Sequence, residues 1–567
     1  MIKLARKIAI ISFLVAIFMT VSVFGTINED YNVKVRIRSP RLFNQQLSLD
    51  GYENLTVYKK NDNLEKLFEI DCNDLSILAD SYYDKNYNFL TGEEAGSAVY
   101  GPYHVAVKDS FSSFDEAGDK VESLEDSFDE DFYPFYDGTK YKIYAGNFPD
   151  KKSAENFVVK LNANNIEWDI IYGDMKNVTV YDNINNIVFM YAYEQDLYFS
   201  SFNKTESCNM IKVDGRPYRG LMTFKIIDYS KLISINYVDL ESYLYGVVPN
   251  EIPASWGLES LKSQAVAART YAVYNINPYA SLGYDLEDNQ NSQVYLGYAY
   301  EKTSTTEAVN KTSGEMIYYN DKLIQAFYHS TSGGKTENSE NVWSTALPYA
   351  VGVDDKYSDD SGSPYNEWQK IYAKDEIIKK LKDDGNVVNE LYGIEIKQIS
   401  ENNRVTECVF LTDIGELSYK KENARLLLGL MSSWFTLENG SNFYFTKEDS
   451  KVEKLEEIPS RNSILGNVVD ETSEQTNSVA SNIESGSILG KYAISSSGTK
   501  KVSQEKLAFI STTGVSIIDT NSDQYNFDGR GWGHGIGMSQ YGAKEMSDEG
   551  FTYDEILKHY YTGVTIK

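Results

Sequence analysis

The sequence predicts an α+β multidomain protein, with a small ferredoxin-like β-α-β-β-α-β module ahead of a larger mixed α+β domain. Three observations predict it. The chain has 567 residues, too many for one core, so about two to four domains are expected. Residues 98–175 run twice through strand-period and helix-period patterns. An Ala-rich helical stretch after Pro253 then lies among long alternating β segments.

The elements follow in chain order. Lys3, Arg6 and Lys7 precede an uncharged apolar run from Ile8 to Phe24, and Glu29 and Asp30 follow. Residues 1–25 read as an export signal, either cleaved near Val23-Phe24-Gly25 or kept as a membrane anchor. The positive flank places the remainder outside the cytoplasm. Residues 30–97 form a small β-rich region, with Val33 to Ile37 and Leu55 to Tyr58 as strands, and carry no chemical signal.

In 98–175, Tyr103 to Lys108 alternates as a strand and Ser113 to about Leu124 is helical. After an acidic loop, Lys140 to Gly146 alternates again. Pro149 to Leu161 is a helix, with Ala154, Phe157, Val158 and Leu161 on one stripe, and Trp168 to Tyr172 closes the module. Residues 176–567 form the last domain. Within it, about 448–500 is rich in Ser, Glu, Asn and Thr and reads as a surface insertion or linker. Strand character returns at Leu507-Ala508-Phe509-Ile510.

Composition narrows the function. There are 83 acidic and 54 basic side chains, a net charge of −29. A nucleic-acid partner needs a basic face and is excluded. Broad adhesion to an anionic membrane is excluded too. Tyr (45) outnumbers Phe (25), which suits wet, carbohydrate-like surfaces as well as cores. Cys72, Cys208 and Cys408 are far apart and odd in number, so no disulfide framework or CxxC metal pair is present.

The chemistry concentrates in 239–275. After Pro253, Leu258, Leu261, Ala265, Ala268 and Ala272 fall at helical spacing and form a buried stripe. Lys262 and Arg269, seven apart, share another face. Glu251 lies just before this helix, pinned between Pro249 and Pro253. Ile252 and Trp256 beside it favour a protonated carboxyl. The helix N-terminus favours the anion. From these residues alone, Glu251 is a helix-start carboxylate first and a catalytic acid second.

Two resemblances add to this. The stretch with Tyr103-His104-Val105-Ala106-Val107, Tyr141 to Phe148 and Ser153-Ala154 resembles the SPOR domain, which binds peptidoglycan glycan strands stripped of stem peptides. Its acidic segment is at odds with that likeness, since 109–132 holds ten acidic side chains and one lysine. A solvated helix face is the plain alternative.

The stretch from Leu240-Glu241-Ser242-Tyr243 through Glu251 to Trp256, and then Leu261-Lys262-Ser263-Gln264 to Ala272, resembles the SpoIID/LytB family of peptidoglycan-acting proteins. Tyr218-Arg219-Gly220, Gln293-Val294-Tyr295, the loop Phe327 to Glu337 and the run Asp528 to Ala543 continue the likeness across roughly 176–567. It implies a lytic transglycosylase acting on denuded glycan, with Glu251 as acid and then base, giving 1,6-anhydro-MurNAc ends. Lys262, Gln264, Arg269, His329, Ser330, His534 and Gln540 fall on supporting or substrate-binding positions. Lys262 and Arg269 would pair lactyl carboxylates or orient Glu251, against a plain Glu259–Lys262 salt bridge.

In some relatives the His at position 329 joins cysteines around zinc. Here no cysteine lies between His329 and Cys408, so the thiolates are missing, and no cofactor is expected. The glycines around His534 do not open a βαβ unit, so they are not a dinucleotide loop. His104 and His559 read as structural. The expected partner is peptidoglycan glycan, with a cell-wall amidase as a second. The rival function is a non-catalytic enhancer of such an amidase. The expected place is the cell-wall side of a bacterial cytoplasmic membrane, with a sporulation role in view.

Overall fold

The computed structural model describes residues 32–37, 46–60, 63–128, 131–161, 166–171, 176–227, 231–343, 345–438 and 524–567, with strand segments between 443 and 519. The export segment 1–25 and most of the Ser-rich stretch 448–500 lie outside the described residues. Among the described residues no helix is long and apolar enough to cross a membrane. The chain is mixed α+β and divides into two units. One comprises Met1–Ser255, Gln264–Met316 and Lys567, and the other Trp256–Ser263 and Ile317–Ile566.

In the first unit the expected β-α-β-β-α-β sequence is realised as Tyr103–Val107, Phe114–Glu125, Phe132–Tyr136, Tyr141–Phe148, Lys151–Leu161 and Trp168–Ile171. Trp168–Ile171 and Tyr141–Phe148 flank Tyr103–Val107, and Phe132–Tyr136 pairs on the far side of Tyr141–Phe148, all antiparallel. That is a ferredoxin-like strand order. Ser113 caps the first helix by accepting from the Glu116 amide at 3.2 Å. Leu124 from that helix and Ala154, Phe157 and Leu161 from the second are buried on one sheet face with Val105, Val107, Ile143 and Ala145.

The strand Phe132–Tyr136 was not visible as alternation, because all five of its residues are buried. Phe132 faces the helices, while Tyr133 and Phe135 pack on the other face with Ala106, Tyr144 and Met190. Its outer edge continues in parallel into Ile187–Ala192, with Phe135 opposite Met190.

The strands of 32–79 do not make a separate sheet. Asn32–Ile37 pairs with Lys231–Asp239, Leu55–Lys60 with Leu197–Asn203, and Asp74–Ala79 with Asn177–Asp182. Their burial alternates as period-2 side chains require, with Val33, Val35 and Ile37 inward. The unit continues into helices Leu240–Glu251 and Thr303–Lys311 and the Gln264 end of helix Leu258–Tyr274.

The second unit is built on small sheets. Gln524–Arg530 lies between Glu367–Ala373 and Phe435–Glu438, and Leu391–Ile399, Val405–Thr412 and Gly415–Lys420 form a meander. Helix Lys374–Asp383 places Ile377, Ile378 and Leu381 on a core with Val405, Phe410, Leu428, Phe435 and Phe527. Strand Lys506–Ser511 is present where Leu507 to Ile510 predict it. Tyr328–His329 pairs in parallel with Met538–Ser539, which joins the two Gly-rich motifs.

Candidate active site

Glu251 is the last residue of helix Leu240–Glu251, with Pro249 inside that helix. The next helix starts only at Leu258. This corrects the expectation of a carboxylate at the start of the second helix. The prolines mark different events: Pro249 is tolerated near the helix end, and Ile252 leaves in extended conformation before Pro253. Glu251 therefore meets the negative end of a helix dipole, not the positive end.

What holds the carboxylate is the Gln293-Val294-Tyr295 segment. The Val294 amide donates to Glu251 Oε1 at 3.0 Å. Gln293 Oε1 accepts from the Tyr243 hydroxyl at 3.2 Å, and its Nε2 donates to the Ala268 carbonyl at 3.2 Å. Tyr295 donates to Asn236 Oδ1 at 2.9 Å and its ring lies 4.9 Å from that of Tyr243. Gly246 makes the ring placement possible, since a Cβ there would stand 2.6 Å from Tyr295 Cε2. The charge of Glu251 reaches two phenols. Tyr243 is held well above the usual tyrosine range, by burial first and then Glu251. Burial first, then Tyr279 and Glu251, pushes Tyr271 up to about 12. Tyr243, Tyr271 and the Val294 amide are the surroundings of Glu251 that sequence reasoning did not single out, although Gln293-Val294-Tyr295 was read as a motif.

Arg269 is fully buried. Its Nε and Nη2 each donate at 2.7 Å to the two oxygens of Glu241, and it also donates to the carbonyls of Glu315 and Val309. Every nitrogen of its guanidinium is committed within the protein. The face it was expected to share with Lys262 is not an outward face, because the helix buries Ser263, Gln264, Val266, Ala267 and Thr270 as well as the expected alanines. Gln264 is buried in this helix.

In the second unit, Lys262 donates to Glu259 Oε1 at 2.7 Å and stands 5.2 Å from the Tyr553 ring centroid. The other oxygen of Glu259 accepts from the Tyr553 amide at 2.9 Å. This is the plain ion pair weighed for Lys262, anchored to the last helix.

His329 and His534 come together with ring centroids 5.6 Å apart. Gly533, in the left-handed region at φ 111°, makes the approach possible, as a Cβ there would stand 2.7 Å from His329 Cβ. His329 Nδ1 lies 3.1 Å from the Ile536 carbonyl, and His534 Nδ1 accepts from the Ile536 amide at 2.9 Å. The first pairing puts the proton of neutral His329 on Nδ1. Its Nε2 is buried and has no hydrogen-bond partner among the described residues. His534 packs 5.1 Å from Trp343. Burial, then Arg425 and Arg404, lower its pKa to about 3. Burial, then His534 and Arg404, hold His329 well below the usual imidazole range. Both rings are neutral bases at neutral pH.

Ser330 is partly exposed and its carbonyl accepts from the Tyr541 amide at 3.0 Å. Gln540 opens helix Gln540–Asp548 and is largely buried. Beneath them, buried Asp355 accepts from Ser332 Oγ at 2.7 Å and from the Tyr560 hydroxyl at 2.8 Å. Asp355 thereby ties the His329 loop to the final helix. Among the described residues no three His, Cys, Asp or Glu side chains gather as a metal site.

With this geometry in place, the class of protein follows. Residues 228–319, which carry Glu251, Gln264, Arg269 and the Gln293-Val294-Tyr295 brace, match the family model described as SpoIID, Stage II sporulation protein. The chain is a homologue of proteins named amidase enhancer and stage II sporulation protein D. It is 30% identical over 407 residues to the amidase enhancer of Bacillus subtilis, covering 70% of this chain and 51% of that protein. It is 29% identical over 352 residues to the stage II sporulation protein D of Bacillus subtilis, covering 59% of this chain and 76% of that protein. It is 26% identical over 353 residues to the protein of the same name from Bacillus amyloliquefaciens, covering 59% and 75%. The chain thus spans about half the length of the amidase enhancer.

Proposed function

We propose that this protein is a peptidoglycan lytic transglycosylase that cuts peptide-stripped glycan strands between MurNAc and GlcNAc, with Glu251 as the single acid and base. The observation that carries this reading is the seating of Glu251: a helix-terminal carboxylate, held on one oxygen by the Val294 amide, within the segment matched to SpoIID. In its protonated form the carboxyl gives a proton to the glycosidic oxygen as the bond to MurNAc C1 breaks. The carboxylate then takes the proton from the C6 hydroxyl of the same MurNAc, whose oxygen closes on C1 to form the 1,6-anhydro ring. No water enters and no second carboxylate is needed, unlike hydrolytic glycosidases. The Val294 donor fixes the orientation of the carboxylate through one oxygen. His329, Ser330, His534 and Gln540 serve as supporting glycan contacts in this reading, while Lys262 pairs with Glu259. Arg269 anchors the helix whose Ala268 carbonyl braces Gln293.

The ferredoxin-like module within 98–175 acts, in this reading, as a SPOR-type glycan-binding domain that raises local substrate concentration. The protein works on the cell-wall side of the membrane.

The test is to incubate purified residues 26–567 with denuded glycan and look for 1,6-anhydro-MurNAc ends by mass spectrometry. Release by the wild type and none by Glu251→Gln is expected; equal release by both would remove Glu251 from the chemistry. A second reading, a non-cutting enhancer of a wall amidase, is favoured by the identity to the protein named amidase enhancer. Retained glycan pulldown with no anhydro ends, together with faster cleavage by an added amidase, would select it. For the module, a fragment spanning residues 74–192, which keeps Asp80 and the strand paired to the module's edge, should sediment more with amidase-treated than with untreated sacculi; equal sedimentation rejects specificity for denuded strands.

A further inference from the structure

Within the first unit, helix Leu258–Tyr274 is covered along most of its length and opens at one place. Every residue from Gln264 to Thr270 is fully buried. Tyr271 is partly exposed and Tyr274 is 44% exposed, although Ala272 between them is again fully buried. Gln293 sets the point of opening. Its Nε2 donates to the Ala268 carbonyl at 3.2 Å, and residues three apart on a helix are neighbours on one face. Tyr271 is therefore the next side chain along that face. Val294, the residue after Gln293, gives its amide to Glu251 Oε1 at 3.0 Å. Tyr243, whose hydroxyl donates to Gln293 Oε1 at 3.2 Å, lies within electrostatic reach of both Glu251 and Tyr271. Glu251 and Tyr271 thus adjoin the same two-residue segment, and Glu251, Val294 and Tyr271 are all partly exposed.

A second tyrosine is folded back to this place. Past the helix, Asn277 turns the chain in the left-handed region at φ 77°. Its amide donates to buried Asp285 Oδ1 at 3.0 Å, and Asp285 Oδ2 accepts from the Lys34 amide at 2.9 Å. The Tyr279 ring then stacks on buried Tyr284, with centroids 4.9 Å apart and planes at 26°, and stays partly exposed. Tyr271 lies within electrostatic reach of Tyr279 and of Glu251. A carboxyl and two phenols are thereby grouped, each partly open to solvent. Val294 backs the first, the helix the second and Tyr284 the third.

The proton steps of Glu251 use neither phenol. A β-linked pyranose turns C–H bonds to its faces and hydroxyl and amide groups to its rim. The face of an aromatic ring attracts those C–H hydrogens, while a phenol hydroxyl reaches the polar rim. An apolar protein partner in the same place would bury the hydroxyls and the Glu251 carboxylate without matching them.

We propose that Tyr271 and Tyr279 form the wall of a sugar subsite beside Glu251, stacking a hexosamine ring of the glycan next to the bond that is cut. The subsite rests on the glycan reading above and names residues that hold the strand.

The experiment exposes residues 26–567 carrying Glu251→Gln to hydroxyl radicals, with and without a denuded tetrasaccharide of GlcNAc and MurNAc. Oxidation is read tyrosine by tyrosine by mass spectrometry, so binding is located in the chain without cleavage and apart from any binding by residues 98–175. Oxidation of Tyr271 and Tyr279 should fall by about half or more, because a bound ring covers most of what it contacts. Tyr392, partly exposed in the second unit, should not change. Tyr271→Ala should weaken tetrasaccharide binding about tenfold and release Tyr279 from protection, whereas Tyr271→Phe should keep both. If Tyr271→Ala does not fold, Tyr279→Ala should release Tyr271 in the same way. Unchanged oxidation of both tyrosines at saturating tetrasaccharide, or equal protection of Tyr392, would overturn the wall. Protection without anhydro ends from the Glu251 protein would keep the wall and reject cleavage, and anhydro ends without protection would do the reverse.

Discussion

Replacing Arg269 with Met separates a structural role from a substrate-binding role. Arg269 is fully buried and gives Glu241 two hydrogen bonds of 2.7 Å, with further bonds to the carbonyls of Glu315 and Val309. Met fills a similar volume and supplies no donor. Two carbonyls then lose a partner, and among the described residues Glu241 keeps the Gly314 amide, 3.3 Å away. Breaking a buried pair from one side costs about 3–5 kcal/mol. The Glu241 side chain keeps 24% of its surface exposed, so water recovers part of this and about 3–4 kcal/mol is expected. For a unit of this size that lowers Tm by about 6–16 °C. The assay is thermal unfolding followed by circular dichroism at neutral pH, with KM for denuded glycan measured well below both midpoints. The double variant Glu241→Gln with Arg269→Met should recover about half the loss, because the stranded carboxylate is gone. A Tm within about 2 °C of wild type, accompanied by a raised KM, would refute the reasoning and return Arg269 to the substrate.

Acid should destabilise the second unit through His534. Its folded pKa, about 3, lies below the unfolded value of about 6.5, so the unfolded chain takes up the proton first as pH falls. Stability present at neutral pH is lost below about pH 6.5, by at most about 2 kcal/mol at pH 5, since the ring edge is partly exposed. The gap between the urea midpoints at the two pH values should narrow in His534→Gln, with His329 carrying the remainder; an unchanged acid loss in that variant sinks the assignment. His104 runs the other way. Burial lowers its pKa, but Asp80, 3.0 Å from Nε2, overcomes this and raises it. Its contribution is therefore complete below about pH 6.5 and fades as pH rises through the folded value. Asp80→Asn should move the His104 NMR titration midpoint down, and no movement would show that the pair does not control it. Gly246→Ala should push Tyr295 off the Glu251 helix, costing about 1–3 kcal/mol and reducing anhydro-end release while glycan pulldown persists. Full release would show that the brace does not position Glu251.

The ferredoxin-like module was legible because its helices carry one apolar stripe and three of its strands alternate. Phe132–Tyr136 escaped because a strand covered on both faces has no polar phase to read. Glu251 was recognisable as the chemical residue, but its helix was not. Proline was taken as a boundary on both sides, and only Pro253 behaves as one. Arg269 misled for a related reason. Spacing from Lys262 assigns it a face, but whether that face is wet depends on Glu241, Glu315 and Val309, which are remote in sequence.

The small sheet module has one further consequence. His104 of its first strand is tied to Asp80, which also accepts from Asn177 at 3.1 Å, and its edge strand shares hydrogen bonds with Ile187–Ala192. It is not a cassette on a string. A gene fusion that transplanted residues 98–175 into another protein would carry a buried histidine without its acid and an open strand edge, inviting aggregation. The smallest transferable piece extends at least from Asp74 to Ala192. Any recombination event that built this chain had to bring those flanking strands along or evolve them in place.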